Sequence, residues 1–151
     1  MQFIEGHGTM TLTDTDKLID ELGPWLKANI KRARIPREER DEIELELPFK
    51  NRRGDNIQVY ILQNQDGTFE LFDGAFVSAD LFEDGVNIMS REIEEIAGCF
   101  DVEFDDPVLR CSCSPDDFPA TLFRFVRALT VIDSLAVTID YPKYVSNRPA
   151  K

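Results

Sequence analysis

The chain has 151 residues, a length that suits one domain whose core needs neither disulfides nor a metal. Its net charge of −12, from 29 acidic against 17 basic side chains, repels phosphate backbones and anionic lipid, which argues against direct nucleic-acid or membrane binding. With 42% apolar residues it is too apolar for a disordered chain, yet no run approaches the about 18 consecutive apolar residues of a membrane helix.

Residues 1–11 show no periodic pattern and read as a flexible segment. Met1–Met10 lacks the basic stretch and apolar run of a secretory signal. From 12 to 30, Leu18, Ile19, Leu22, Trp25, Leu26 and Ile30 recur at helical spacing, with Thr13 or Asp14 as a cap and an interruption at Gly23-Pro24. Residues 31–42 are charged, contain Pro36 and read as a solvated linker or ragged helical turn.

Three strands follow. Ile43, Leu45 and Leu47 alternate with Glu44 and Glu46, Ile57, Val59 and Ile61 with Gln58, Tyr60 and Leu62, and Phe69 and Leu71 with Glu70 and Phe72. The polar loop 50–56 joins the first two. Asp66-Gly67 predicts a type I′ hairpin between the second and third. A helical turn is expected over Ser78–Glu83, then a helix from a Ser90 cap to a Gly98 stop. A second hairpin pairs Phe100–Asp105 with Leu109–Cys113 across Pro107.

Ser114-Pro115-Asp116-Asp117 has the composition of a helix start, and the stripe Phe118, Leu122, Phe125, Leu129 and Ile132 predicts one buried helix face running to about Ala136. The expected fold is α+β: helix, three strands, helix, two strands, helix, with helices on one face of an antiparallel sheet. One domain would span 12–136, ahead of an extended tail over 137–151.

No residue pattern spells out catalysis, a cofactor or a metal. His7 is the lone histidine and has no fixed partner to orient it. Cys99, Cys111 and Cys113 lack the Cys-x-x-Cys spacing of a zinc knuckle and read as buried free thiols. Their odd number, in a chain that needs no staples, points to a reducing, cytoplasmic setting. Asp55, Asp73 and Asp80 lie near strand ends and can converge as a carboxylate site, although no nucleophile or phosphate loop accompanies them. Arg53-Gly54-Asp55 reads as a turn around a glycine.

Charge is the strongest functional signal. From Asp66 to Asp117 there are 15 acidic side chains against Arg91 and Arg110. The candidate interaction surface is Asp55, Asp73, Asp80, Glu83, Asp84, Asp101, Glu103 and Asp105.

Pro48-Phe49, the run Gly54 to Tyr60, the run Phe69 to Gly74, Leu81, Gly85 and the aromatic-rich helix Phe118 to Leu135 together resemble the phage and prophage domain-of-unknown-function family 1828. The resemblance implies a small bacterial or phage protein without an established activity. The element order is also similar to that of type III secretion chaperones.

The expected function is a non-enzymatic, acidic protein-binding domain of mobile-element origin. Its partner would be a basic protein, such as a nucleic-acid-handling defence protein that it inhibits. Two alternatives stand beside this reading. One is a dimeric chaperone-like protein holding a partner segment on Tyr60, Leu62 and Phe72, with a homodimer face at Phe123, Val131 and Leu135. The other is a metalloenzyme built on Asp55, Asp73 and Asp80.

Overall fold

The computed structural model describes residues 3–5, 8–10 and 12–139, with side chains described over 14–138. His7 and residues 140–151 of the expected tail lie outside the described residues. The chain divides into two compact units, Met1–Lys31 and Arg32–Lys151, a boundary inside the stretch that the sequence treats as one domain.

In the first unit, β1 (Phe3–Glu5) and β2 (Gly8–Met10) pair antiparallel, where the sequence showed no periodic element. Helix α1 (Leu12–Asp20) gives way to α2 (Leu22–Asn29). Pro24 explains the break, because its ring clashes with the carbonyl four residues back, which is that of Asp20. α1 begins at Leu12, so Thr13 and Asp14 lie inside its first turn and do not cap it. Leu18, Ile19, Leu22 and Trp25 remain half exposed.

The second unit is the expected α+β arrangement around a six-stranded sheet of order β3-β4-β5-β6-β8-β7. Strand β3 (Lys31–Ile35) replaces the expected linker. It is an edge strand, and its exposed basic side chains are what an edge tolerates. Strands β4 (Glu42–Lys50), β5 (Asn56–Gln63) and β6 (Phe69–Phe72) form the predicted antiparallel meander. Strand β8 (Val108–Cys113) pairs antiparallel with β6 and with the short edge strand β7 (Glu103–Asp105).

The β5–β6 loop is a different turn from the one expected. Gly67 donates to the Asn64 carbonyl at 3.0 Å and Asn64 to that of Thr68 at 2.8 Å, and Gly67 alone has positive φ, +86°. That is a three-residue loop with its glycine in the left-handed position, so Asp66 keeps an ordinary φ. The β4–β5 loop repeats the geometry: Gly54 has φ +85° and donates to Asn51 at 3.0 Å, and Asn51 donates to Asp55 at 2.8 Å. Asn-x-x-Gly therefore closes both ends of β5.

Helices α3 (Phe76–Glu83) and α4 (Ser90–Gly98) separate β6 from β7. Ser90 does not cap α4; it is the first helical residue, and its hydroxyl bonds Asp106. The helix does end at Gly98, as expected, but the chain keeps turning past it. Val102 donates to Ala97 at 3.0 Å and Asp101 to Gly98 at 3.1 Å, with Asp101 left-handed at φ +54°. This closing motif consumes Phe100 and Asp101 and shortens the expected strand to Glu103–Asp105.

The principal helix α5 (Phe118–Asp133) starts after a turn in which Asp117 donates to the Ser114 carbonyl at 3.2 Å, so the acidic run forms the turn and not the first helical turn. A short helix α6 (Leu135–Ile139) follows, where an extended tail was expected from residue 137.

One sheet face buries Leu45, Leu47, Ile57, Val59, Leu71, Leu109 and Cys111, and the helical core residues Leu122, Phe125, Leu129 and Ile132 join them in the core. The Phe49–Phe123 and Phe69–Phe118 ring contacts tie this face to α5. No helix among the described residues is long and apolar enough to cross a membrane.

Phe125 is 0% exposed, the largest fully buried side chain of the stripe. Phe125→Ala should cost about 3–5 kcal/mol in urea melts through lost burial and the cavity left behind. A denaturation midpoint like that of the wild type would contradict its place in the core.

Candidate functional site

Two features of the second unit concentrate charge: a cleft at one end of the sheet, and the sheet face that alternates with the apolar core.

A cavity of about 600 Å³ lies among the β4–β5 loop, α3 and the end of α5. Asp55, Asp73, Asp80 and Glu83 line it with Glu46 and Asp133, so the strand-end carboxylates do converge. Asp73, Asp80, Glu83 and Asp133 already have partners. Asp73 is 1% exposed and is no surface residue. Its Oδ1 accepts from the backbone N–H of Ala75 and of Leu109, each at 3.0 Å, and its Oδ2 from Val77 at 3.3 Å. It therefore starts α3 and ties it to β8. Burial pushes its pKa up, against the pull of these three donors.

Arg52 and Arg53 form a latch across the cleft. Arg52 pairs with Asp84, and its Nε lies 3.1 Å from Asp133 Oδ1. Its backbone N–H also donates to Asp133 Oδ2 at 3.1 Å. Arg53 reaches Glu83 at 3.1 Å, Asp80 at 3.2 Å and Asp84 at 2.9 Å. Burial works to raise the Asp84 pKa, but Arg52 and Arg53 prevail and hold it below the usual carboxylate range. At Asp80 burial prevails over Arg53 and the pKa is raised. Asp80 and Glu83 of α3 and Asp84 just after it share one helix face, and two consecutive arginines in the facing loop are the sequence signal for this latch. Much of the candidate acidic surface is thus internally neutralised.

The other sheet face is built by register. Glu44 lies opposite Tyr60, Tyr60 opposite Phe72, Phe72 opposite Arg110, and Arg110 opposite Glu103. Glu42, Glu46, Leu62 and Glu70 flank this row on the same face. The Tyr60 ring stacks on Phe72 with centroids 5.5 Å apart and on Phe76 at 6.3 Å, the planes tilted by 21° and 18°. Gly74 makes the stack feasible: a Cβ there would stand 2.8 Å from Tyr60 Cε2. Phe76 is 49% exposed. Burial, followed by the neighbouring charges of Glu44 and Glu42, raises the Tyr60 pKa.

At the β7 edge, Arg110 pairs with Glu103 at 3.4 Å and with Asp105 at 3.3 Å. At the β4 side, Arg37 takes Glu42 at 3.0 Å and Arg40 takes Glu70 at 3.2 Å. Glu44, half-buried beside Tyr60, makes no ion pair with the other described residues. Asp101 belongs to neither feature; it serves the left-handed close of α4.

Among the described residues no three His, Cys, Asp or Glu side chains are grouped to hold a metal ion. Cys111 is buried, and burial raises its pKa to about 11, whereas Cys113 is half-buried and Cys99 is exposed at the end of α4, contrary to the expectation of three buried thiols.

The profile of the domain of unknown function DUF1828 matches residues 47–132, more than half of the chain. The chain belongs to the DUF1828 family. The DUF1828 segment contains the aromatic stack, Arg110 and both latch arginines, while Glu44 and Asp133 lie just outside it. No curated protein and no solved structure matches the chain.

Arg52→Ala should cost about 3–5 kcal/mol, because it strands the buried Asp133 carboxylate. Arg53→Ala, whose partners are wetter, should cost about 1 kcal/mol or less. Equal losses in urea melts would contradict the division of labour within the latch.

Asp73 also has a pH signature. Its folded pKa exceeds that of the unfolded chain, so its contribution to stability is full below the unfolded pKa and fades as pH rises through the folded one. The stability of the wild type relative to Asp73→Asn should therefore grow as pH falls from about 7 to about 3. A flat difference would mean that the three backbone donors cancel the cost of burial.

Proposed function

We propose that this DUF1828 domain is a protein-binding module that takes a basic segment of its partner on the sheet face opposite the core. The observation that carries the reading is the register row from Glu44 through Tyr60 and Phe72 to Arg110 and Glu103. It sets a carboxylate at each end of a row whose middle holds two half-buried aromatic rings and Arg110, on a face whose reverse side is the domain core. Carboxylates steer a basic partner and fix its register, and aromatic rings supply contact area at little entropic cost.

The reading moves the interaction surface from the α3 carboxylates to the sheet. Asp80, Glu83 and Asp84 are engaged by Arg53, and Asp73 by backbone donors. Glu103 and Asp105 lie on this face, paired with Arg110 yet 77% and 69% exposed, so a partner still reaches them. Tyr60, Leu62 and Phe72 give the same face an apolar strip, so its occupant presents methylene stems as well as charges.

A labelled peptide alternating arginine and glycine serves as the probe. Its binding should weaken steadily between about 50 and 500 mM salt. The triple variant Glu44→Gln, Glu103→Gln, Asp105→Asn should weaken it on the order of tenfold. The triple variant Glu94→Gln, Glu95→Gln, Asp116→Asn has the same net charge and should change it by less than about twofold. Equal effects of the two variants would show that overall charge, and not the sheet face, attracts the peptide.

A further inference from the structure

We infer that the Tyr60 end of this face is an arginine seat: one guanidinium of the partner's segment lies flat on the Tyr60–Phe72 rings with Glu44 as its counter-ion. The inference rests on the reading above and names the side chain that the face selects.

The row is chemically complete at one end and incomplete at the other. Beside Phe72 stands the chain's own Arg110, held by Glu103 and Asp105. Beside Tyr60 stands instead a carboxylate, Glu44, with no arginine among the described residues paired to it. Arg37 comes near and is engaged by Glu42. An anion held half-buried against a ring, in a protein that pairs most of its other sheet-face carboxylates, is complementary to a cation supplied from outside.

The shape of the seat favours guanidinium over ammonium. Tyr60, Phe72 and Phe76 lie within about 20° of parallel, so one planar group can lie parallel to all three rings. A planar guanidinium stacks on such rings while its N–H fork reaches a carboxylate edge-on, whereas an ammonium is compact and more strongly hydrated. The protein uses the same contact internally, where Arg127 lies 5.6 Å above the Phe100 ring. The seat is also fixed in place: Gly74, left-handed at φ +67°, leaves the Tyr60 ring the room a side chain would take.

The test compares the arginine–glycine peptide with its lysine twin on wild type, Tyr60→Leu and Glu44→Gln, by isothermal titration. Thermal melts confirm that each variant is folded. Wild type should bind the arginine peptide on the order of tenfold more tightly than the lysine peptide. Tyr60→Leu should abolish that preference while keeping salt-sensitive binding, and Glu44→Gln should weaken both peptides, arginine the more. Equal affinities on wild type would overturn the arginine seat and leave the basic-segment reading standing. So would a preference that survives in Tyr60→Leu. Binding of neither peptide would overturn both. Sedimentation of the protein alone completes the test: a dimer that Tyr60→Leu dissociates would give the face to a second copy of the chain and defeat the inference.

Discussion

The Asp73 carboxylate is the joint on which the second unit turns. It sits where β6 ends, and its two oxygens collect three backbone N–H groups from α3 and β8. A buried carboxylate is costly unless its lone pairs are filled, and here the donors come from the two elements that must be brought together. The consequence reaches the surface. With Asp73 fixed, Gly74 and Ala75 take left-handed conformations, α3 leaves the sheet end, and Phe76 completes the stack on Tyr60. The same joint sets the acidic face of α3 against Arg52 and Arg53.

Two kinds of acidic residue emerge from one charge excess. Those on α3 and Asp133 are structural: Arg52 and Arg53 bind them into a partly buried network, in which a removed partner leaves an uncompensated charge. Those on the sheet face are arranged in register with aromatic rings. Net charge alone cannot distinguish the two. The distinction comes from tertiary partners, and it decides which carboxylates are available to another molecule.

The fold class and the meander were legible because alternation over β4, β5 and β6 matches a sheet with one buried face, and because the stripe from Phe118 to Ile132 is unbroken. The first helix had to restart around Pro24, and it does. What escaped the sequence is where local patterns meet tertiary demands. β3 looks like a linker, since an exposed edge strand carries no apolar alternation. Asp101 looks like part of an acidic strand, yet the close of α4 needs a left-handed residue there. Asp73 was named as a surface acid because its letter is polar, and only the N–H groups of Leu109 and Val77 show why it is buried. Convergence of Asp55, Asp73 and Asp80 could be drawn from strand ends. The satisfaction of Asp73 by backbone donors and of Asp80 by Arg53 could not, because the second depends on a loop and a helix separated by about two dozen residues.

Membership in DUF1828 places the aromatic stack and the latch arginines within the family segment, while Glu44 stands just before it. On the proposed function, the sheet face carrying Tyr60 and Phe72 meets the partner and the α3 cleft does not. Backbone amide chemical shifts measured during titration with the arginine–glycine peptide address it residue by residue. The largest changes should fall on Glu44, Tyr60, Phe72 and Arg110, across four strands in one row. Changes confined to Asp55, Asp80 and Glu83 around the cleft, with that row silent, would contradict the proposal.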